Sequence, residues 1–498
     1  MIQEHSSARP LTASRYRPTV VGLLLAMLVL IPAAGVKAET LLEAVTRAFQ
    51  SNPLLNAQRA NVFATSENIP RARAGFLPHV EGTVEAGYRH EEGTEGGAVD
   101  RPFERTLKPR TYGVQVVQTL LDGKRTAYSV GQAEAQDLAA RETLRLAEQM
   151  TILAAARAYV DVYANRATLD HTRRYVDALT ARIDEVRRLR LFGEAIGTEV
   201  AEAEARLAGA RGQQSGAQAG LQASLATYAQ TIGSEPKQLE LPRPVDQLLP
   251  PTREAALQTA MAQHPAVLAA NLDVDAARLQ IRIIEAEFYP TVSLIGAAIE
   301  HLDENLPGDE RFETSILTRM RVPIYQGGEV AARTRQAAHT ATQRRFDADS
   351  IRDQVRAAVI TAWAQLEDAK ARIQATRNQV QSAQTALEGA RSLYRIEARN
   401  NIDVLNAEQD LLTAHLNQTT AQRDRVLASF AVAQAAGTLE FCALADGDGG
   451  PATERLAAVE AAVEDAHFKT TVNYANDGAC PKCHSPSSAL SLRPTLGD

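Results

Sequence analysis

A seven-residue line runs through the stretch from Lys124 to Arg190, marked by Leu169, Val176, Ile183 and Arg190, with Leu179 and Val186 interleaved at the complementary spacing. This is the seam of helices packed side by side. The stretch has no proline and one glycine, Gly131, so it predicts a single uninterrupted helix. At 1.5 Å per residue such a helix is a rod of roughly 100 Å, about three times the hydrocarbon thickness of a bilayer. Alanine, arginine and glutamate dominate it and no run of 18 apolar residues occurs, so the space it crosses is aqueous.

After Pro78 the period switches to two. Val80, Gly82, Val84 and Ala86 alternate with Glu81, Thr83 and Glu85, and Val114, Val116 and Gln118 alternate with Gln115, Val117 and Thr119. This predicts strands over 80–88 and 111–120, with two more over 291–299 and 312–324. Each is about ten residues, the length that crosses a bilayer when tilted, and the mixed polarity suits a wall with one lipid face and one wet face. Between the first two strands, Gly93, Gly96, Gly97, Pro102 and Pro109 make 89–110 read as a loop.

The punctuation of the chain is written twice. Asn52-Pro53 recurs as His264-Pro265 and Phe76-Leu77-Pro78 as Phe288-Tyr289-Pro290, both at an offset of 212. Gly123 then matches Gly327, Tyr159 matches Trp363, Val200 matches Val404 and Gly233 matches Gly437, at an offset of 204. The slip falls between two strands, where loop length absorbs it, and the matching points are prolines, glycines and aromatics rather than alanine-rich filler. The expected division is a first repeat over 39–233, a proline-rich link over 234–251, a second repeat over 252–437 and a tail over 438–498. Each repeat runs helix, strand hairpin, very long helix, helix. The helices are expected over Leu41 to Gly75, bent at Pro53 and Pro70, Thr198 to Ile232, Thr252 to Phe288, Gly328 to Glu397 and Asn401 to Ala436.

Four strands cannot close a barrel, and an open edge in lipid leaves backbone groups unpaired at several kcal/mol each. The strands must therefore be shared between chains. Two copies give eight strands, whose interior side chains fill; three give twelve and a lumen. The expected fold is a mixed α and β membrane protein: a trimeric 12-stranded β-barrel, four strands per chain, continuous with a long α-helical barrel and built by internal duplication.

Other features narrow the reading. Arg9, Arg15 and Arg17 precede the apolar run Val20 to Ile31, and Val36-Lys37-Ala38 precedes Glu39, so residues 1–38 read as a secretory signal peptide. Aromatics make up 5% of the chain and Trp363 is its sole tryptophan, too few large side chains for a wide core. A net charge of −7 argues against nucleic acid as the partner. No paired carboxylates in a plausible pocket, Ser-His-Asp order or phosphate loop stands out, so no enzyme chemistry is expected. The cysteines Cys442, Cys480 and Cys483 all lie near the C-terminal end. Cys480-Pro481-Lys482-Cys483-His484 is C-x-x-C-H, in which two thiols can form thioethers to haem while the histidine ligates iron; a tail disulfide, a weak metal site or an unpaired pair are the alternatives.

The two Phe-x-Pro junctions, Gln118-Thr119-Leu120-Leu121-Asp122-Gly123, Val322-Pro323-Ile324-Tyr325-Gln326-Gly327-Gly328 and the turn Ile402-Asp403-Val404-Leu405 together make the chain resemble the TolC family of trimeric outer-membrane efflux and secretion ducts, over about Glu39 to Leu439. The resemblance implies an outer-membrane barrel, a periplasmic tunnel, an equatorial zone built from the link and the C-terminal segment, and docking to a periplasmic adaptor and an inner-membrane pump. It also implies a gate at the far periplasmic end, mapped onto Tyr394, Arg399, Thr198 and Glu199, with Asp403 projecting a ring of carboxylates into the lumen. Gly193 and Glu397 hold the adaptor-docking positions. Glu397 stands where the family often has glycine, and Asn406 where it often has a second acid. A periplasmic coiled-coil tether or adaptor is the rival reading, against which stand the four bilayer-length strands that a tether does not need.

Overall fold

The computed structural model describes residues 38–95, 101–396 and 398–446. The expected signal peptide apart from Ala38, Glu397, and Cys480, Cys483 and His484 lie outside the described residues.

Local chemistry explains where the elements start and stop. Helix α1 (Leu41–Ser51) opens on a reciprocal cap: Thr40 Oγ1 accepts from the Glu43 N–H at 3.2 Å, and Glu43 Oε2 accepts from the Thr40 N–H at 3.2 Å. The Asn52 side chain then accepts from the Leu54 and Leu55 N–H groups and Pro53 takes the first helical position, so the chain stops and restarts as α2 (Pro53–Ser66). The expected bend at Pro53 is thus a break with its own cap, and a further break at Glu67 precedes α3 (Asn68–Arg73), which holds Pro70. The same device recurs between α6 (Arg253–Gln263) and α7 (Pro265–Glu285), where His264 Nδ1 accepts from the Ala266 N–H at 3.2 Å.

The strands are β1 (His79–Ala86), β4 (Arg110–Leu121), β5 (Thr291–Leu302) and β6 (Glu310–Arg321), paired antiparallel in the order β1-β4-β5-β6. One feature departs from the expected loop over 89–110: β2 (Arg89–Glu95) and β3 (Arg101–Leu107) form a separate two-stranded hairpin at the sheet end away from the helices. Its cross-strand ion pair Arg105 to Glu91 at 2.6 Å, and Phe103 packed on Gly93, are pairings that glycine and proline content conceals.

The register sorts the four-stranded sheet into two faces. Val80, Val116, Gly296 and Ile316 lie in one row, Gly82, Val114, Ala298 and Thr314 in the next, and Val84, Tyr112, Glu300 and Phe312 in a third. The opposite face carries Glu81, Gln115, Ala297 and Ser315, then Glu85, Thr111, His301 and Arg311. One face is mainly apolar and the other mainly polar. No helix among the described residues is long and apolar enough to cross a membrane.

Two helices of 67 residues each, α4 (Arg125–Leu191) and α8 (Glu329–Arg395), leave the sheet and return as α5 (Gly197–Ile232) and α9 (Asn401–Ala435). The main core lies midway along them, where Ala44, Val45 and Ala48 of α1 meet Ile152, Ala155 and Tyr159 of α4, Tyr228 of α5 and Phe430 of α9. The alanines let the helices approach closely. The link folds onto this core: the buried Tyr159 hydroxyl lies 2.7 Å from the Glu39 carbonyl and 2.8 Å from that of Glu240, and the Glu39 carboxylate meets Arg47 and the Tyr228 hydroxyl. The segment after Gly437 returns here too, with Leu439 fully buried and Phe441, at the start of α10 (Phe441–Asp446), stacked on Phe49 with ring centroids 5.0 Å apart.

Gly123 turns the chain from β4 into α4 with φ +65°, and a Cβ there would lie 2.8 Å from the Tyr289 Cβ and 2.9 Å from the Ala286 carbonyl oxygen. Gly123→Ala therefore combines left-handed strain with an overlap against backbone, and is expected to cost about 2 kcal/mol or more. Chemical denaturation of the purified chain measures this. An unchanged midpoint would mean that the junction is not tightly packed.

Candidate functional site at the helix turns

The α4–α5 and α8–α9 turns lie side by side at the end of the molecule farthest from the sheet. The first is closed by the Glu194 N–H donating to the Leu189 carbonyl at 2.9 Å and the Gly193 N–H to the Arg190 carbonyl at 3.1 Å, with Gly193 at φ +78°. This is the glycine-dependent helix ending in which a left-handed residue satisfies the last carbonyls. In the second turn the Ala398 N–H donates to the Leu393 carbonyl at 2.9 Å, the same bond at the 204-residue offset.

Each residue singled out from the sequence has a definite position. Glu199 caps α5, its Oε2 accepting from the Ile196 N–H at 3.1 Å, and Thr198 beside it is exposed. Arg399 is exposed in the second turn and makes no ion pair among the described residues, so the Arg399 to Glu199 contact is not formed within one chain. Asp403 is half-buried in the first turn of α9, where a carboxylate also suits the helix dipole. Tyr394 lies under Arg182 of α4, the guanidinium carbon 4.4 Å from the ring centroid. Burial raises the Tyr394 phenol above its usual pKa, and Arg182 pulls the other way.

A four-stranded sheet with one apolar face is thus seated on helices long enough to cross an aqueous compartment. A sequence profile of the outer membrane efflux proteins matches residues 44–234 and 256–438. The chain belongs to the outer membrane efflux protein family. It is similar to the outer membrane efflux protein BepC of Brucella suis biovar 1, with 33% identity over 405 residues, covering 81% of this chain and 86% of that one. It is 27% identical over 435 residues to the proteases secretion protein PrtF of Dickeya chrysanthemi, covering 84% and 92%. The fold matches the Campylobacter jejuni CmeC outer membrane channel with a TM-score of 0.72 at 13% identity, over 85% of this chain and 89% of that one. This efflux protein is accordingly an export channel of the outer membrane that extends into the periplasm, and its family consists of channel and transport proteins rather than enzymes.

Several contacts in this half of the efflux protein were not evident from sequence. Arg187 reaches Glu204 at 2.6 Å, Arg391 reaches the buried Glu408 at 2.9 Å, and Arg206 donates to Asn406 Oδ1 at 2.6 Å. Arg182 is 8% exposed, and its Nη1 meets Glu185 at 2.6 Å while Nε and Nη2 have no hydrogen-bond partner. The sequence carried no signal for this, because Arg182 flanks the α4 seam held by Leu179, Ile183 and Val186, and flanking positions are normally charged. The turns also expose Leu191, Phe192, Ile196 and Ile396, each at 67% or more.

Higher along the same helices His171 and His415 stack face to face, ring centroids 4.6 Å apart. Both pKa values are lowered: His171 by burial and then by His415, with Arg174 adding to this and Asp170 opposing it; His415 by burial and then by Arg174. The unfolded chain then binds protons more readily than the folded one, so the pair's contribution is fully present above about pH 6.5 and is lost as pH falls below it. Replacing both by glutamine is expected to flatten the fall in melting temperature between about pH 7 and pH 5. Parallel curves for parent and variant would remove the histidines as its cause.

Proposed function

We propose that three copies of this chain assemble into a passive duct, twelve strands forming the membrane pore and twelve helical strands a periplasmic tunnel continuous with it. The observation that carries this reading is the open sheet: β1 and β6 are unpaired edges, the apolar face can meet lipid, and three sheets joined edge to edge leave none open. The internal duplication, with repeats over 39–233 and 252–437 joined by a link over 234–251, is supported by the two 67-residue helices and the two capped Asn52-Pro53 and His264-Pro265 breaks.

In this proposal the helix turns close the tunnel, with Tyr394, Arg399, Thr198 and Glu199 bonding between neighbouring helices and Asp403 lining the lumen. The apolar side chains Leu191, Phe192, Ile196 and Ile396, with Gly193 following Phe192 and Glu397 following Ile396 in sequence, offer the adaptor a docking surface. The inner-membrane pump supplies cargo through that adaptor, as a tripartite efflux pump or a type I secretion system. Crosslinking in the native membrane followed by purification should recover the chain with a periplasmic adaptor and an inner-membrane pump, in the outer-membrane fraction. Recovery in the soluble periplasm with neither would favour the tether.

We place no cofactor in the duct. The family match ends at residue 438, so the haem reading of Cys480, Cys483 and His484 rests on their spacing alone. Absence of a Soret band after expression in a maturation-competent host removes it.

A further inference from the structure

We propose that the β2–β3 hairpin carries a zinc site formed by His90, Glu92 and Glu104, with Thr106 orienting the imidazole. The register sets His90 opposite Thr106 and Glu92 opposite Glu104, so all four side chains share one face of the ribbon. His90 Nε2 lies 3.1 Å from Glu92 Oε1 and 3.9 Å from Glu104 Oε1, and the three donor atoms all lie within 4.8 Å of one another. A tetrahedral zinc ion with bonds of about 2.0–2.2 Å holds neighbouring donors roughly 3.3 Å apart, so small rotations of exposed side chains seat it.

Two further observations point to a cation. Carboxylates directly opposite on neighbouring strands repel, and this pair stands on an isolated two-stranded ribbon, itself a marginal structure. The other face is neutralised by arginine: Arg105 pairs with Glu91 at 2.6 Å, lies 4.7 Å over the Phe103 ring, and Arg89 reaches Glu91 at 3.7 Å. On the first face His90 is the only basic side chain. The second observation concerns the tautomer. His90 Nδ1 lies 3.2 Å from Thr106 Oγ1, so when Nε2 turns its lone pair to the ion the proton carried on Nδ1 has that hydroxyl to receive it. One imidazole with two carboxylates suits zinc better than calcium or magnesium, which favour all-oxygen shells. A bound ion ties β2 to β3 and stiffens the hairpin.

The test is calorimetric titration of zinc chloride into the full chain, purified in detergent and stripped with chelator. Cys480→Ser and Cys483→Ser are present throughout so that the tail thiols do not compete. One zinc per chain is expected, with affinity falling at least about 100-fold in His90→Ala and about tenfold in Thr106→Val. X-ray absorption of the loaded protein should show one imidazole nitrogen and two carboxylate oxygens, and the variants should keep the parent's oligomeric migration because the hairpin lies outside the four-stranded sheet. No zinc binding by the parent, unchanged affinity in His90→Ala, or a zinc shell lacking imidazole would each overturn the site. None of these results bears on conductance, so the duct and the zinc site stand or fall separately.

Discussion

Val114→Lys is expected to abolish assembly in the outer membrane, whereas Gln115→Lys, one residue along the same strand, should leave it intact. Val114 sits in the apolar row between Gly82 and Ala298, neighbours too small to shield an ammonium group from lipid. A lysine near the bilayer midplane costs about 2–4 kcal/mol, and a trimer bears that cost three times. Gln115 lies between Glu81 and Ala297 on the polar face, where an added cation meets water and carboxylate. Heat-sensitive oligomer on gels of outer-membrane extracts reads the outcome. Loss of assembly in Gln115→Lys with Val114→Lys unaffected would reverse the two faces of the wall.

The second large effect is expected at the helix turns. Tyr394→Phe combined with Arg399→Ser should raise single-channel conductance several-fold and increase antibiotic leakage, with trimers still formed. Exposed polar contacts are worth under about 1 kcal/mol each, but two per chain in three chains sum to a few kcal/mol, enough to move a closed population substantially towards open. Phenylalanine keeps the ring beneath Arg182, so the double variant probes contacts of the hydroxyl and of Arg399 rather than the α4–α8 stack. Arg182→Ala probes that stack and should act in the same direction. Asp403→Ala should abolish block by trivalent cations, because in the proposed gate Asp403 lines the lumen while Asn406 accepts from Arg206 and adds no second acid. Unchanged conductance in the double variant would move the gate elsewhere.

The long helices were legible because their signal is redundant: no proline in either, a glycine ahead of each, and in α4 a seven-residue seam closed by Gly193. The expected span Lys124 to Arg190 differs by one residue at each end from Arg125–Leu191. The sheet faces were legible for a similar reason, since a period of two assigns every second residue to one side. The β2–β3 hairpin was hidden because its strands are charged and interrupted by Gly93 and Pro102, and its stability lies in pairings across the turn. Arg182 was hidden at the site because its partner ring comes from α8, and one helix's periodicity says nothing about which side chain another helix places opposite. Similarly, Glu199 reads equally well as a gate acceptor or a helix cap, and only the 3.1 Å contact to Ile196 reveals the second role.

The count of chains in the conducting particle tests the account most directly. Protein extracted from outer membranes, its mass fixed by native mass spectrometry and the same fraction inserted into planar bilayers, should conduct only as a particle of three chains. Conductance from a verified single chain would mean that four strands close a pore alone, and would contradict the shared barrel on which the proposed duct rests.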